Sequence, residues 1–414
     1  ETLSRDKAEE LVRLCEFWDK KYDYVVGNPP YGSTLNNEIK EKLKQNYPII
    51  EGKNDIYALF LYRSINKVKD GMFVGMITPN TFLGLFYYEK LREFILNNVQ
   101  LISIVDLPNK LNVFDGVNID TVITIIKNCN ISSYEYKAIS KFDNLNEFIN
   151  KQYKYEIINS DNIKKDNRIL ISQFVTPRCH CLTFDDVCTI HQGGAFVGKY
   201  GQLSDTDLNS APYLSGTDID RYFLKWKGKY IPLDKNKVYS LGNEEHYKKD
   251  KIVMQRSRGR HLLRRIVAAK DTFKFYCALG RTNYILSKGK NLNEILGVLN
   301  SKYINYYYTE KFGFSSTDII ADSLKQLPYP FKKDDTVLPI LVEELIDLYE
   351  KLKNIDLVEM LKNCNNILES FIKIEDKKCN IKKRIEELEN FIDIYIYNAF
   401  CLSVQDVLIV ERHQ

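Results

Sequence analysis

Between Tyr22 and Lys127 short apolar runs alternate with stretches of helical spacing, and this alternation restricts the possible folds more than any other feature of the chain. Tyr24-Val25-Val26 reads as a strand, Tyr57 to Val68 as an amphipathic helix, Met72 to Thr78 as a strand and Tyr88 to Asn97 as a helix. Leu101 to Leu107 and Thr121 to Ile126 add two β-branched runs, with Asp70-Gly71 and Gly116 as turn signals between elements. The pattern predicts an open, mostly parallel α/β sheet whose ligands bind beyond the carboxyl ends of its strands.

At 414 residues the chain is too long for a single core. The α/β pattern occupies residues 1–130, and residues 131–170, polar and rich in Asn and Lys, read as a connecting region. Residues 171–332 carry short strands with frequent turn signals, as in Gln192-Gly193-Gly194, Gly216, Gly228 and Ser257-Arg258-Gly259, which predicts a mixed, mainly β domain. In residues 333–414 the rhythm becomes helical. Leu338, Leu341, Leu345, Leu348, Leu352 and Ile355, then Ile381, Ile385, Leu388 and Ile392, lay apolar seams along two helices broken around Asn363 to Asn366, an antiparallel, coiled-coil-like pair.

Hydrophobic residues at 44% and charged residues at 28% are ordinary for a globular protein, and no apolar run approaches the roughly 20 residues of a membrane span. The expectation is a cytoplasmic protein with no membrane partner: the first residues lack a signal-peptide pattern, and nine scattered cysteines form no disulfide framework. A net charge of +4 is mild, so any nucleic-acid footprint must come from local clusters of Lys and Arg.

Asn28-Pro29-Pro30-Tyr31 stands where the first strand ends. The prolines fix φ and keep Asn28 out of the helical region, which stiffens the loop. A rigid loop of this composition suits one demanding reaction. The exocyclic amine of adenine is a poor nucleophile because its lone pair is delocalised into the ring. Two acceptors, a carboxamide oxygen and a backbone carbonyl, hold such an amine closer to tetrahedral, and Asn28 with the Pro29 carbonyl supplies both. Pro29 and Pro30 bring no amide hydrogen that would compete as a donor. Tyr31 offers a face on which the base can stack, and the base must then be outside the duplex. The competing reading is a plain proline turn after a strand.

The run Tyr24-Val25-Val26-Gly27-Asn28-Pro29-Pro30-Tyr31-Gly32, then Asn54-Asp55-Ile56-Tyr57, then Gly71 to Asn80, resembles the gamma-type adenine-N6 DNA methyltransferases of restriction-modification systems, in the fused, Eco57I-like type IIG form. The resemblance implies a partial Rossmann-like methyltransferase sheet, with Asn28 and Pro29 holding the target amine and Tyr31 stacking on the flipped adenine. Val113-Phe114 followed by Thr121-Val122-Ile123 looks like that family's later motif, which makes Phe114 the candidate for the other face of the base; a core Phe beside a turn is the alternative. Phe184 to Cys188, Gln192 to Gly198, Tyr213 to Ile219, Ile295 to Ser301 and Leu327 to Pro330 are similar to target-recognition domains of these enzymes and of type I specificity subunits.

The same resemblance implies S-adenosylmethionine as cofactor and double-stranded DNA as partner. The family's glycine-rich cofactor turn is not found ahead of Asn28, in a stretch too short for two strand-helix units. Gly84 and Gly193-Gly194 do not replace it. The cofactor-binding half is therefore expected on another polypeptide or a missing N-terminal portion. Arg256, Arg258, Arg260, Arg264 and Arg265 form one dense basic cluster, read as DNA-binding mainly through phosphates, with a solvated turn as the alternative. Cys179-His180-Cys181, Cys188 and His191 lack the paired spacing of a zinc site, so no metal is expected. Nothing reads as a nuclease signature. The alternative functions are a non-catalytic DNA-recognition module or inactive fragment and, with less support, RNA or protein-glutamine methylation.

Overall fold

The computed structural model describes residues 5–412 except 33–36, 50–54, 109–110, 112, 115–118, 143, 165–166, 173, 200, 207, 259–261, 263, 313–317 and 356–366. Lys53, Asn54, Gly116, Gly259, Arg260 and the 363–366 helix break therefore lie outside the described residues. The chain divides into two compact units, Glu1–Phe174 and Val175–Gln414.

The first unit is built on a six-stranded sheet in the order β1-β2-β4-β3-β5-β6. Its strands are β1 Tyr22–Gly27, β2 Val68–Pro79, β3 Gln100–Leu107, β4 Thr121–Lys127, β5 Glu135–Lys141 and β6 Lys154–Asn159. Helices α1 Arg5–Asp19, α2 Asn37–Asn46, α3 Ile56–Lys67 and α4 Glu89–Asn98 accompany them. The sheet is mixed where a mostly parallel one was expected. β1 with β2 and β3 with β5 are parallel, whereas β2 with β4, β4 with β3 and β5 with β6 are antiparallel. A parallel return needs a crossover of a dozen or more residues, usually helical, and the described residues between β3 and β4 hold no α-helix; β4 comes back antiparallel between β3 and β2.

The region read from sequence as a connector, 131–170, supplies β5 and β6 to this sheet. Its period-two pattern is short: Tyr134, Tyr136 and Ala138 are buried while Glu135 and Lys137 face out. The Tyr136 hydroxyl donates to the Leu170 carbonyl at 2.7 Å, tying the later part of the region to the sheet. Asp70-Gly71 is also not the turn it resembled. Gly71 has φ 78° inside β2, its amide donates to the Asn128 carbonyl at 2.7 Å, and the pairing of β1 with β2 shifts register between Tyr22 and Tyr24. That is a bulge, which re-aims the strand without ending it.

α3 buries Tyr57, Ala58, Leu61, Ser64 and Ile65, one face of a 3.6-residue period. Each large apolar side chain on that face contributes on the order of 1.5–3 kcal/mol by leaving water. Arg92 of α4 is buried too; its Nε donates to the Asn167 carbonyl at 2.7 Å and Nη1 to those of Phe82 and Leu85 at 3.0 and 2.5 Å. Desolvation pushes its pKa down to about 10, so it remains a cation that clamps the turn after β2.

In the second unit an antiparallel sheet runs in the order Ala268–Asp271, Lys251–Gln255, Thr282–Ser287, Cys188–Gln192. Lys251–Gln255 lies inside it and carries an ion pair: Lys251 and Asp271 are both fully buried and 2.5 Å apart. The amides of Phe273 and Phe275 donate to the same carboxylate at 2.8 and 3.1 Å, which offsets part of its desolvation.

Helices Leu292–Asn300, Leu338–Lys353 and Ile367–Ala399 pack behind this sheet domain. Gly297 is required at the first contact, since a Cβ there would lie 2.8 Å from Val342 Cγ2 and 2.9 Å from Leu338 Cδ1. Asp335, just ahead of Leu338–Lys353, accepts from the Tyr395 hydroxyl at 2.6 Å, while Leu348 and Lys351 near its end line a groove with Lys373 and Asp376. The two long helices thus run antiparallel.

Replacing Asp271 by Leu leaves the Lys251 ammonium buried without its partner and is expected to destabilise the second unit by about 3–5 kcal/mol, whereas the Lys251→Met/Asp271→Leu pair recovers most of the loss. Urea unfolding of the two variants checks this; equal stability would show that the pair is not what holds the strands.

Candidate functional site

β1 ends opposite β2 with Gly27 paired to Met76, so the chain leaves the sheet at Asn28, beside the carboxyl end of β2. Pro29 is buried, Asn28 and Pro30 are exposed and Tyr31 is half-buried. The Tyr31 hydroxyl donates to Asn28 Oδ1 at 2.8 Å and lies 3.3 Å from the Ile77 carbonyl of β2. Burial raises the Tyr31 pKa above its ordinary value, so the group stays a phenol and a donor throughout the neutral range. The consequence is a carboxamide whose oxygen is oriented, with a second lone pair still available to an amine.

The other end of the loop is held by Asp55. Gly32, at φ 98°, occupies a conformation suited to glycine, and its amide donates to Asp55 Oδ2 at 3.1 Å. Asp55 Oδ1 in turn accepts from the Ile56 amide at 2.8 Å, capping α3. One carboxylate therefore couples the loop to the first turn of a helix. Beneath it, the Tyr57 and Thr81 hydroxyls are 2.8 Å apart, and burial raises the Tyr57 pKa well above the ordinary value. The sequence gave no sign of the bond between Asp55 and Gly32.

Phe114 is half-buried in an irregular segment beside residues outside the described set. Its neighbour Val113 packs against a core of Val105, Leu107, Ile139 and Phe142.

The arginine cluster does not form one surface. Arg265 is 1% exposed, with its guanidinium 5.9 Å from the Tyr308 ring centre, which removes it from the DNA-binding set. Arg264 is half-buried, its Nη1 donates to the Asn300 carbonyl at 3.1 Å, and burial lowers its pKa. Arg258 gives its Nε to the Arg264 carbonyl at 2.8 Å and its Nη1 to Gln255 Oε1 at 2.9 Å. Arg256 is paired with Asp318 at 3.1 Å. Much of the cluster's donor capacity is thus spent on folding its own turn, and Arg260 lies outside the described residues.

Cys179 and Cys181 are 3.6 Å apart at sulfur, and burial pushes the Cys181 and Cys188 thiols each up to about 12. His191 and His246 have ring centres 4.6 Å apart. Among the described residues no group of three or more His, Cys, Asp or Glu is placed to hold a metal ion.

Residues 3–114 match the model of Eco57I restriction-modification methylases, and residues 211–329 match that of the TaqI-like C-terminal specificity domain. The protein RM.MjaORFECS2P of Methanocaldococcus jannaschii, assigned as a type II restriction enzyme and methyltransferase, is 25% identical over 403 residues, covering 89% of this chain and 33% of its own length. The adenine-specific methyltransferase BrxX of Escherichia coli O9:H4 (strain HS) is 29% identical over 137 residues, 32% of this chain and 11% of its own. Among solved structures the type IIL restriction-modification enzyme MmeI, in complex with DNA, aligns with a TM-score of 0.51 at 10% identity, covering 91% of this chain and 56% of that one. At that identity the likeness is one of fold. The chain spans a third or less of the length of these two curated relatives.

Asp55→Ala removes the acceptor of the Gly32 amide and the cap of α3 together. The expected result is a loss of about 1 kcal/mol in stability and faster hydrogen exchange at Gly32, read by NMR. Unchanged exchange at Gly32 would mean that something other than Asp55 holds the loop.

Proposed function

We propose that the protein carrying this Eco57I-like methylase region and TaqI-like specificity domain is a site-specific DNA methyltransferase. It transfers a methyl group from S-adenosylmethionine to N6 of an adenine flipped out of double-stranded DNA, in a restriction-modification or related phage-defence system. The observation that carries this reading is the Tyr31 hydroxyl on Asn28 Oδ1 beside the end of β2. The methylase and specificity matches, and a relative whose name is adenine-specific, support it.

In this reading the amine donates one hydrogen to Asn28 Oδ1 and the other to the Pro29 carbonyl. That draws electron density back onto nitrogen and bends the group out of the ring plane. Pro30 keeps the loop stiff, the Tyr31 ring stacks on the base, and Phe114 is the candidate for its other face. The bound cofactor supplies an activated methyl group. The described residues of the first unit fit the amine side only: their left-handed glycines are Gly32 in the loop and Gly71 in the β2 bulge, and neither opens a strand-to-helix cradle. We assign the donor side to a further part of the protein continuing the sheet from β1, an edge strand on which Tyr24 and Val26 are 67% and 81% exposed. In the specificity domain Arg256 and Arg258 remain candidates for phosphate contacts, Arg264 a weaker one, with Arg260 beside them.

Transfer of labelled methyl groups into duplex DNA by the full gene product tests the reading. Asn28→Ala is expected to lower kcat by about 10²–10³ with little change in cofactor binding, in the range seen when one polar partner of a reacting group is removed. Tyr31→Phe keeps the stacking face and loses the hydroxyl's contacts to Asn28 and the Ile77 carbonyl, so it should fall between wild type and Tyr31→Ala. Full activity in Asn28→Ala would overturn the assignment.

A further inference from the structure

The second unit carries a short two-stranded arm, anchored in the domain core, that also turns two aromatic rings outward. Ala195–Phe196 pairs antiparallel with Ser240–Leu241, and the Tyr239 amide donates to the Phe196 carbonyl at 2.9 Å. Each segment has both buried and exposed side chains. Ala195, Val238 and Leu241 are buried in the domain core, while Phe196 and Tyr239 are 42% and 67% exposed with ring centres 6.1 Å apart. An exposed aromatic pair on a domain that has already filled its core marks a contact surface.

The arm is stiff at its base. A Cβ on Gly194 would stand 2.9 Å from Gly242 Cα, one on Gly201 would stand 2.3 Å from the Lys237 carbonyl, and Gly242 has φ 72°. The Gly194 amide donates to the Tyr247 hydroxyl at 3.0 Å. Backbone packed that closely presents its outward side chains with little entropy left to lose on binding.

Lys199, Lys235 and Lys237 lie within four residues of the two aromatic positions in sequence; all three are exposed and have no ion-pair partner among the described residues. Nearby Lys229 and Lys248, in contrast, pair with Asp205 and Glu245. Asp234, the acid beside Lys235, accepts from the Asn236 amide at 3.0 Å.

We propose that this arm is a DNA-contacting element of the second unit, with Lys199, Lys235 and Lys237 on backbone phosphates and Phe196 and Tyr239 against the groove. The inference rests on the DNA reading above and goes beyond it by locating the surface away from the arginine cluster. Charge decides the partner: uncompensated cations around two rings match a polyanion, and a two-stranded ribbon fits the major groove. Aromatic contact with thymine methyl groups makes Phe196 and Tyr239 candidates for sequence discrimination.

Fluorescence anisotropy of the full gene product with a mixed-sequence DNA duplex, over a salt series, tests the arm. The variant Lys199→Gln/Lys235→Gln/Lys237→Gln is expected to bind at least about tenfold more weakly, with the slope of log affinity against log salt shallower by about 2–3. Phe196→Ala/Tyr239→Ala should weaken binding and leave the slope unchanged. All five side chains are exposed, so circular dichroism and melting temperature should match wild type. Unchanged affinity and slope in both variants would overturn the arm while leaving the DNA reading intact. Loss of self-association without loss of DNA binding would make the arm a protein contact and overturn the proposal. Failure of the wild-type protein to bind any duplex would sink the DNA reading and the arm together.

Discussion

The parallel pairing of β1 with β2 decides where Asn28 stands. With Gly27 opposite Met76, the loop leaves the sheet within reach of the Ile77 carbonyl, and the Tyr31 phenol bridges from that carbonyl to the Asn28 carboxamide. At the far end Asp55 holds the Gly32 amide and caps α3 with its other oxygen. A short loop is thus fixed to a strand on one side and a helix on the other. Two prolines remove most of the freedom that remains. Acceptors that must meet an amine in one geometry gain from such fixing, because little reorganisation is left when the base arrives.

The second unit uses buried charge for a different purpose. Lys251 with Asp271 sits inside the sheet domain, while Arg221 reaches Glu389 of the long C-terminal helix at 2.7 Å, joining domain and helices. Glu294 accepts from the Tyr329 hydroxyl and, at 2.8 Å, from the Asp335 amide, next to the start of Leu338–Lys353. Breaking such pairs one partner at a time is costly, and their directional bonds favour a single packing of helices on sheet.

Much of this was legible in the sequence. β1, α3, β2, α4, β3 and β4 follow from periodicity and turn residues. β5 and β6 escaped because Tyr134, Tyr136 and Ala138 alternate over too few positions, among too many charged neighbours, to stand out. Asp70-Gly71 looked like a turn because glycine permits positive φ equally in a bulge. The bond from Gly32 to Asp55 joins residues 23 positions apart, and nothing local announces it. Arg265 shows the same limit from the other side. Closeness in sequence put five arginines in one cluster, but burial is a property of the fold, and it turned one of them inward.

The central claim is that the Asn28 loop acts on the amine of adenine. Its most direct test is base-modification sequencing of genomic DNA from a host expressing the full gene product, beside the Asn28→Ala form. The account predicts N6-methyladenine at one recurring sequence with the wild-type protein and its disappearance in the variant. Unmodified DNA, modification on cytosine, or adenine methylation that survives Asn28→Ala would each contradict it.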